Sequence, residues 1–165
     1  MSRIYLAHPI STTAEYNDSK RVANELRALG YDVYVASEND SINDKSNEPT
    51  PLDIYNGDIT EILKADIFVV NNTGGKQDGT NSEVGFVAGI NEVYTLENKL
   101  HGGKVYKEKP IYAYTSNARL LQPQFSDGMA SASINHLVKG MIDRWGKWLG
   151  DEQTMLKYMK ELLHD

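Results

Sequence analysis

The chain has 165 residues, 40% of them hydrophobic and 24% charged, which is enough for one globular domain and too apolar for general disorder. Its net charge of −6 disfavours a non-specific nucleic-acid binder, and the absence of cysteine excludes disulfides, thiol catalysis and cysteine-bound zinc. No run approaches the roughly 20 apolar residues of a membrane span, and the N-terminus lacks the apolar core of a signal peptide. We therefore expect one domain over residues 1–165, a cytoplasmic location, and no membrane or nucleic-acid partner.

The N-terminal part of the chain predicts a strand, a helix and a second strand. Arg3–Ala7 is short and rich in β-forming residues, which is typical of a strand. Thr12, followed three residues later by Glu15, has the pattern of a capping box and predicts a helix that ends near Gly30. Residues 31–35 are then the second strand.

The middle of the chain predicts a polar loop, a second helix and a central strand. Residues 37–48 are rich in Asn, Asp and Ser, which favours a long loop that is mobile or functional. Thr50 and Pro51 are typical of the start of a helix. Residues 66–70 are mostly apolar on both faces, as expected of a central parallel strand. The apolar stripe predicted to bury the second helix consists of Leu52, Tyr55, Ile59, Ile62 and Leu63.

A third helix is predicted after a glycine-containing loop at residues 71–78. Thr80, followed three residues later by Glu83, repeats the capping-box pattern. Gly85 and Gly89 lie one turn apart in this helix, so we expect them to let it approach the sheet closely.

The C-terminal part of the chain is less regular in its pattern. Gly102 and Gly103 indicate a turn within residues 91–109, and residues 110–114 predict a fourth strand. The remaining predictions are an irregular segment at 116–133, an amphipathic helix at 134–149 that carries Trp145 and Trp148 as packing or subunit contacts, and a terminal helix at 151–163.

The alternation of strands and helices predicts an α/β fold with a parallel sheet. Right-handed crossovers then produce a doubly wound, flavodoxin-like sheet. In that topology ligands bind at the carboxyl ends of the strands, where the strand order reverses between the first and third strands. These ends correspond to residues 7–9 and 71–83, so we expect a crevice between them.

Three carboxylates are candidates for this crevice. Asp58 lies at the margin of the apolar stripe of its helix; partial burial would raise its pKa and suit it to acid catalysis, although the spacing alone leaves exposure to solvent equally open. Glu83 fits a helix cap, where the helix dipole keeps a carboxylate ionised, and a fixed ionised carboxylate at this edge also suits a nucleophile. Asp78 is either a third member of the group or an ordinary turn residue.

Two residues of the first strand and its loop are further candidates. Tyr5 is either a core residue or a group whose hydroxyl orients a carboxylate. His8 is a lone loop histidine without the spacing of a metal site. The chain also lacks the two common glycine-rich phosphate-binding motifs.

Four segments, in order along the chain, resemble the nucleoside 2-deoxyribosyltransferase family. Residues 4–9 read I-Y-L-A-H-P and are similar to the family's opening I-Y-[LF]-A-G-P. Residues 55–58 read Y-N-G-D and resemble its acid-bearing helix. Residues 77–85 read Q-D-G-T-N-S-E-V-G and resemble the nucleophile motif D-x-G-[TS]-x-x-E-x-G, which is the most specific of the four. Asn135 is similar to the first residue of the family's N-L-M segment.

The resemblance implies an enzyme that transfers 2-deoxyribose between nucleobases, without a metal or cofactor. In this scheme Glu83 attacks C1′ of a 2′-deoxynucleoside through an oxocarbenium-like transition state, and Tyr5 positions Glu83. Asp58, with Asp78, holds the departing free nucleobase and manages its proton. The resemblance also implies a homo-oligomer in which Asn135 reaches a neighbouring subunit's site. The implied substrate-binding residues are His8, Pro9, Gly79, Thr80 and Asn135.

The chain departs from the family pattern at two positions near this site. The first Asp of the nucleophile motif falls on Gln77, one position before Asp78, and His8 stands where the family usually has glycine. Two alternatives remain, a hydrolase of the same superfamily that cleaves 2′-deoxynucleoside 5′-monophosphates and a non-catalytic nucleotide-binding module. The hydrolase should carry residues that grip phosphate, whereas residues 8–13 offer hydroxyl groups but no Arg or Lys.

Overall fold

Five strands form one parallel sheet in a computed structural model that describes residues 1–75, 77–121 and 133–164. The strand order is β2-β1-β3-β4-β5, and every neighbouring pair is parallel. This is the flavodoxin-like order, which confirms the predicted fold class. The strands are β1 (Arg3–Ala7), β2 (Asp32–Val35), β3 (Ile67–Asn71), β4 (Ile111–Tyr114) and β5 (Gly146–Trp148).

Helices cover both faces of this sheet. In the described part of the chain they are α1 (Thr13–Ala28), α2 (Asp40–Asn43), α3 (Pro51–Lys64), α4 (Asp78–Leu100), α5 (His136–Trp145) and α6 (Glu152–Leu162), with 3₁₀ turns at Ala36–Glu38, Lys45–Asn47 and Ala118–Leu120. None of these helices is long and apolar enough to cross a membrane.

The side chains of β1 alternate between two separate cores. Ile4 and Leu6 belong to the core under α1 and α6, whereas Tyr5 and Ala7 belong to the core under α3, α4 and α5. Alternation follows from the two-residue period of a strand, and both faces are apolar because helices cover both. The alternation therefore directs the Tyr5 ring towards α3 and α4.

Local capping signals located the first two long helices correctly. At the start of α1, the Thr12 side chain accepts from the Glu15 amide, and the Glu15 carboxylate accepts from the Thr12 amide. Thr50 begins α3 in the same way, with Pro51 in the first helical position.

The third capping box was predicted wrongly. α4 begins at Asp78, two residues before Thr80, and its preceding residue Gln77 makes no side-chain cap. Glu83 therefore lies in the second turn of the helix instead of at its end. The pattern of Thr80 and Glu83 is present, but Thr80 lies inside the helix and does not cap it.

The predicted polar loop contains short helical elements, because α2 and two 3₁₀ turns occupy most of residues 36–47. Asn39 caps α2, and Ile42 is buried. A single apolar side chain in a polar segment was too weak a signal for a helix.

The predicted buried stripe of α3 is also largely wrong. Ile62 is fully buried and Ile59 packs partly against the core, but Leu52, Tyr55 and Leu63 are 64%, 55% and 48% exposed. In this chain α3 meets the core mainly through its C-terminal half. Its remaining apolar side chains lie on the surface.

The two glycines of α4 also face outwards. A Cβ atom added at Gly85 or Gly89 would have no atom within 4 Å, so neither residue provides a close approach to the sheet. Val84 and Val87 make the buried contacts of this helix instead. The expectation was wrong because glycine spacing does not identify which helix face is buried.

α4 extends into residues 91–109, for which the sequence predicted only a turn. The helix ends at Leu100, and a turn follows at residues 101–103. The returning chain is bound by two asparagines of α4. Asn91 Nδ2 donates to the Lys109 carbonyl, and the Lys109 amide donates to Asn91 Oδ1, both at 2.8 Å and both buried. Asn98 bonds similarly to the backbone of Tyr106, but at the surface.

The predicted helix at 134–149 ends four residues early. α5 stops at Trp145, and Gly146 begins β5 beside Ile111. A Cβ atom at Gly146 would overlap the Ile111 carbonyl, so this approach requires glycine. Trp145 and Trp148 both pack against the core under α4 and α5. Of the segment predicted to be irregular, residues 122–132 lie outside the described residues.

We expect Asn91→Ala to destabilise the protein by about 3 kcal/mol, because it leaves a buried backbone N–H and a buried carbonyl without partners. Asn98→Ala is the matched control, since water can replace its exposed bonds, and should cost less than about 1 kcal/mol. Urea denaturation followed by circular dichroism measures both values. Equal losses in the two variants would contradict this account of the return segment.

Candidate functional site

A cavity of about 460 Å³ opens at the carboxyl ends of β1 and β3, where the fold predicts a ligand site. β1, α1, α3 and α4 each contribute to it, directly or through an adjoining loop. Its lining residues are His8, Pro9, Ile10, Ser11, Thr12, Glu15, Ala36, Asp58, Thr73, Gln77, Asp78, Gly79, Thr80 and Glu83.

Glu83 lies on the wall of this cavity and is bonded to Tyr5. The Tyr5 hydroxyl donates to Glu83 Oε1 at 2.6 Å, from a ring that is fully buried and stacked on Phe68. Tyr5 lies on β1 and Glu83 lies on α4, so two regular elements fix the geometry of the pair. This contact between Tyr5 and Glu83 was expected only from the family resemblance.

The protonation of Glu83 differs from the sequence expectation. Burial raises its pKa to about 7; the hydrogen bond from Tyr5 lowers it, and the charge of Asp58 raises it further. The expectation that a helix terminus keeps Glu83 ionised was wrong, because Glu83 lies in the second turn and protein atoms surround most of its carboxyl group. Near neutral pH this carboxyl group exists in both protonation states.

Asp58 enters the cavity from α3. It is half-buried, and burial raises its pKa, while hydrogen bonds from Tyr34 and Tyr5 lower it. Of the two orientations that the spacing allowed, the structure therefore has the partly buried one. Asp58 and Glu83 face the same cavity, and ionisation of either one disfavours ionisation of the other.

The first turn of α4 forms another wall. Asp78 and Gly79 are exposed, Thr80 is buried, and all three line the cavity. The turn before them is fixed by Gln77, whose Oε1 accepts from the Thr73 amide at 3.1 Å and whose Nε2 donates to the Thr73 hydroxyl. A neutral amide in this position thus supports the loop.

His8 of the first loop lines the cavity and is also held by protein partners. Its side chain is only 2% exposed, its Nδ1 donates to the Pro9 carbonyl at 2.7 Å, and its Nε2 lies 2.9 Å from Asn71 Nδ2 and 3.2 Å from Asp18 Oδ2. These protein partners leave little of the imidazole for a ligand. Pro9 forms part of the cavity wall.

Asn135 is not part of this cavity within the chain. It is exposed and caps α5, with Oδ1 accepting from the Leu137 amide at 2.9 Å and from the Val138 amide at 3.4 Å. Its side chain therefore has a structural role at the start of that helix.

Two neighbours of Asp58 were missed in the sequence. Tyr34 of β2 donates to Asp58 Oδ1 at 3.4 Å, and Asn39 donates to the Tyr34 hydroxyl at 3.1 Å. Tyr5 and Tyr34 are paired in the parallel register and so share a sheet face, but this pairing is known only from the structure. Asn39 carried no signal, because its segment appeared to be a loop.

A carboxyl group that ionises near neutral pH, beside a second carboxyl with raised pKa, can divide nucleophilic and proton-transfer roles. Among the residues placed by the structure, no group of three or more His, Asp or Glu side chains could hold a metal ion.

A sequence model described as Nucleoside 2-deoxyribosyltransferase matches residues 4–143. The chain belongs to this family. The nucleoside 2-deoxyribosyltransferase family indicates an enzyme of the deoxyribosyltransferase type and substrates of the nucleoside and nucleobase class. No curated protein matches the chain.

Two solved structures are similar to this family member. A conserved protein from Enterococcus faecalis has 21% identity and a TM-score of 0.73, with 98% of this chain and 99% of that chain covered. A 2-deoxyribosyltransferase from Bacillus psychrosaccharolyticus has 20% identity and a TM-score of 0.53, with 86% of this chain and 82% of that chain covered. At these identities the likeness supports the fold.

The raised pKa of Glu83 predicts that this family member loses stability as the pH rises from about 5 to about 8. The folded state holds a proton on Glu83 up to a pKa of about 7, whereas the unfolded chain releases it near the ordinary value of 4.5. The free energy of unfolding therefore falls as the pH rises through this window, by roughly 2–3 kcal/mol in total.

We expect Glu83→Gln to remove this part of the pH dependence, since glutamine can accept from Tyr5 but cannot ionise. Urea denaturation at several pH values measures it. Glu25→Gln, on an exposed position of α1, is the control and should follow the wild type. A Glu83→Gln profile parallel to that of the wild type would show that the Glu83 carboxyl titrates normally.

Proposed function

We propose that this protein transfers 2-deoxyribose between nucleobases, with Glu83 as the nucleophile. The observation that carries the proposal is the Glu83 carboxylate held at 2.6 Å by the buried Tyr5 hydroxyl, facing a cavity at the switch point of the sheet. The family of the chain supports the same reaction class.

In the proposed mechanism a Glu83 oxygen bonds to C1′ of a 2′-deoxynucleoside as the C1′–N bond breaks. The electron pair of that bond leaves with the base, and Asp58 supplies the proton that makes the base a better leaving group. A second base then attacks C1′, releases Glu83 and returns a proton to Asp58. Two inversions give net retention.

The mechanism needs the two carboxyl groups in opposite protonation states. Attack requires ionised Glu83, and its pKa of about 7 leaves a substantial ionised fraction at neutral pH. Protonation of the base requires protonated Asp58, which burial favours by raising its pKa. Tyr5 donates to Glu83 and stabilises the carboxylate both before attack and when it leaves C1′.

The composition of the cavity favours a nucleoside over a nucleotide. Its lining in the described chain includes four carboxylates and neither Lys nor Arg, so a 5′-phosphate would be repelled. We propose that Asp78 and Asp58 contact the base and that the rest of the cavity wall contacts the sugar. The proposed sugar contacts are Pro9, Gly79 and Thr80.

We further propose that residues 1–165 act as one domain that assembles into a homo-oligomer. Apolar side chains of α3 and α4 remain exposed around a groove lined by Leu63, Phe86, Ile90 and Val93, which we call the α3–α4 face. Exposed apolar surface of this kind is typical of subunit contacts. Asn135 lies outside its own cavity, and we propose that its exposed side chain, whose Oδ1 caps α5, reaches a neighbouring site in the oligomer.

Base exchange is the first test. The protein is incubated with thymidine and adenine, with a control lacking adenine, and products are separated by chromatography. We expect deoxyadenosine from the wild type and from Glu25→Gln, and a loss of more than about 1,000-fold in Glu83→Gln, because an amide cannot replace the nucleophile.

Other outcomes would replace the proposal with a defined alternative. Release of free base at the same rate with and without adenine indicates a hydrolase, which is then compared on 2′-deoxynucleoside 5′-monophosphates. Turnover of neither substrate class, with ligand binding retained, indicates a binding module.

The oligomer is tested by size exclusion with light scattering. Val93→Asp places a charge on the α3–α4 face and should lower the molar mass to that of the 18.5 kDa chain. Val105→Asp is the matched control, because the two valines are 54% and 59% exposed but Val105 lies outside this groove. A wild-type protein that elutes as a monomer would contradict the assembly.

A further inference from the structure

Two tyrosines lie side by side on the sheet face that carries the candidate site. Tyr5 of β1 pairs with Tyr34 of β2 in the parallel register, and their ring centroids are 5.2 Å apart. Because residues paired in register point to the same face, both hydroxyls are directed towards α3 and α4. Tyr5 donates to Glu83, and Tyr34 donates to Asp58.

The orientation of Tyr34 is determined by Asn39. Asn39 Oδ1 accepts from the amide and the hydroxyl of Ser41, at 3.2 and 2.6 Å, which fixes the amide group with Nδ2 towards Tyr34. Nδ2 then donates to the Tyr34 oxygen at 3.1 Å. Since that oxygen already accepts from Asn39, its own proton remains free for Asp58 Oδ1, 3.4 Å away.

The segment that carries Asn39 packs directly on the helix that carries Asp58. Ile42 is buried there, and a Cβ atom added at Gly57 would lie 3.7 Å from Ile42 Cγ2 and 3.8 Å from Asn39 Nδ2. Gly57, one residue before Asp58, therefore faces Ile42 and Asn39 at van der Waals distance. Ser41, Asn39 and Tyr34 form a continuous hydrogen-bonded chain that ends on the carboxylate.

We propose that Tyr34, oriented by Asn39, is the positioning residue that holds Asp58 in place for proton transfer to and from the nucleobase. This inference rests on the proposed function, because it assigns Asp58 the proton. The arrangement gives each carboxylate its own tyrosine, so that the nucleophile and the proton donor are held independently.

The groups that face Asp58 are Tyr34 from β2, Tyr5 from β1 and Glu83 from α4. Both hydroxyls favour the ionised form of Asp58, and ionised Glu83 disfavours it. Removal of the Tyr34 hydroxyl therefore raises the pKa of Asp58, because one donor to the carboxylate is lost and the burial remains.

The test is a carboxyl ¹³C NMR titration of the ligand-free protein, which needs no turnover. We expect a higher Asp58 pKa in Tyr34→Phe than in the wild type. Tyr31→Phe is the control, since Tyr31 donates to the Met159 carbonyl at 2.8 Å on the opposite side of the sheet, and it should leave Asp58 unchanged. Circular dichroism establishes that both variants fold.

The same variants are then compared in base exchange. In Tyr34→Phe we expect kcat to fall about tenfold with KM within about twofold, because the lost bond orients the Asp58 carboxyl group and binds no substrate. The limb of the pH profile governed by Asp58 should move to higher pH. Tyr31→Phe should retain the wild-type profile.

An unchanged Asp58 titration in Tyr34→Phe, or the same shift in Tyr31→Phe, would overturn the role of Tyr34 even if base exchange occurs. A wild-type protein without base exchange would instead defeat the proposed function, while a raised Asp58 pKa in Tyr34→Phe would still support the hydrogen bond. The two failures are therefore distinguishable.

Discussion

The hydrogen bond between Tyr5 and Glu83 is the contact on which the candidate site depends. It joins β1 to α4, which forms a wall of the cavity, through two side chains separated by 78 positions in the sequence. Burial opposes ionisation of both groups, raising the pKa of Tyr5 well above its usual value and that of Glu83 to about 7. The bond partly offsets this penalty by stabilising the carboxylate.

The sheet positions the chemistry through register more than through local sequence. β1 lies between β2 and β3, so alternate residues of the three strands, paired in register, share a face of the sheet. Tyr5, Tyr34 and Phe68 meet there as neighbouring rings. A slip of one residue in the pairing of β2 would turn Tyr34 to the opposite core and leave Asp58 without its donor.

The outward face of α4 is apolar, although the N-terminal end of the same helix lines the polar cavity. Its outward side carries two glycines and exposed apolar residues, next to the exposed apolar side chains of α3. Helices that cover a sheet normally bury their apolar stripe, whereas α3 and α4 both leave apolar side chains exposed. The same helix thus presents a polar end to the cavity and an apolar side to the surroundings.

The fold was largely predictable from the sequence, because strand composition, helix periodicity and two capping boxes are local properties. These signals located β1 to β4, α1, α3 and α6, and the order of elements implied the topology. β5 was missed because it is three residues long and depends on the contact of Gly146 with β4. The start of α4 was misplaced because Thr80 and Glu83 match a capping box, although the helix begins two residues earlier, at Asp78.

For the candidate site, the residue types showed which acids were present, and the predicted strand ends indicated where they would meet. The environments of these acids came from packing between distant parts of the chain. Whether Asp58 is buried, whether Glu83 caps a helix, and which hydroxyl each carboxylate receives all depend on residues distant in the chain, such as Tyr34 and Asn39. Burial and hydrogen bonding set the pKa of an acid, and both are properties of packing that no local pattern encodes.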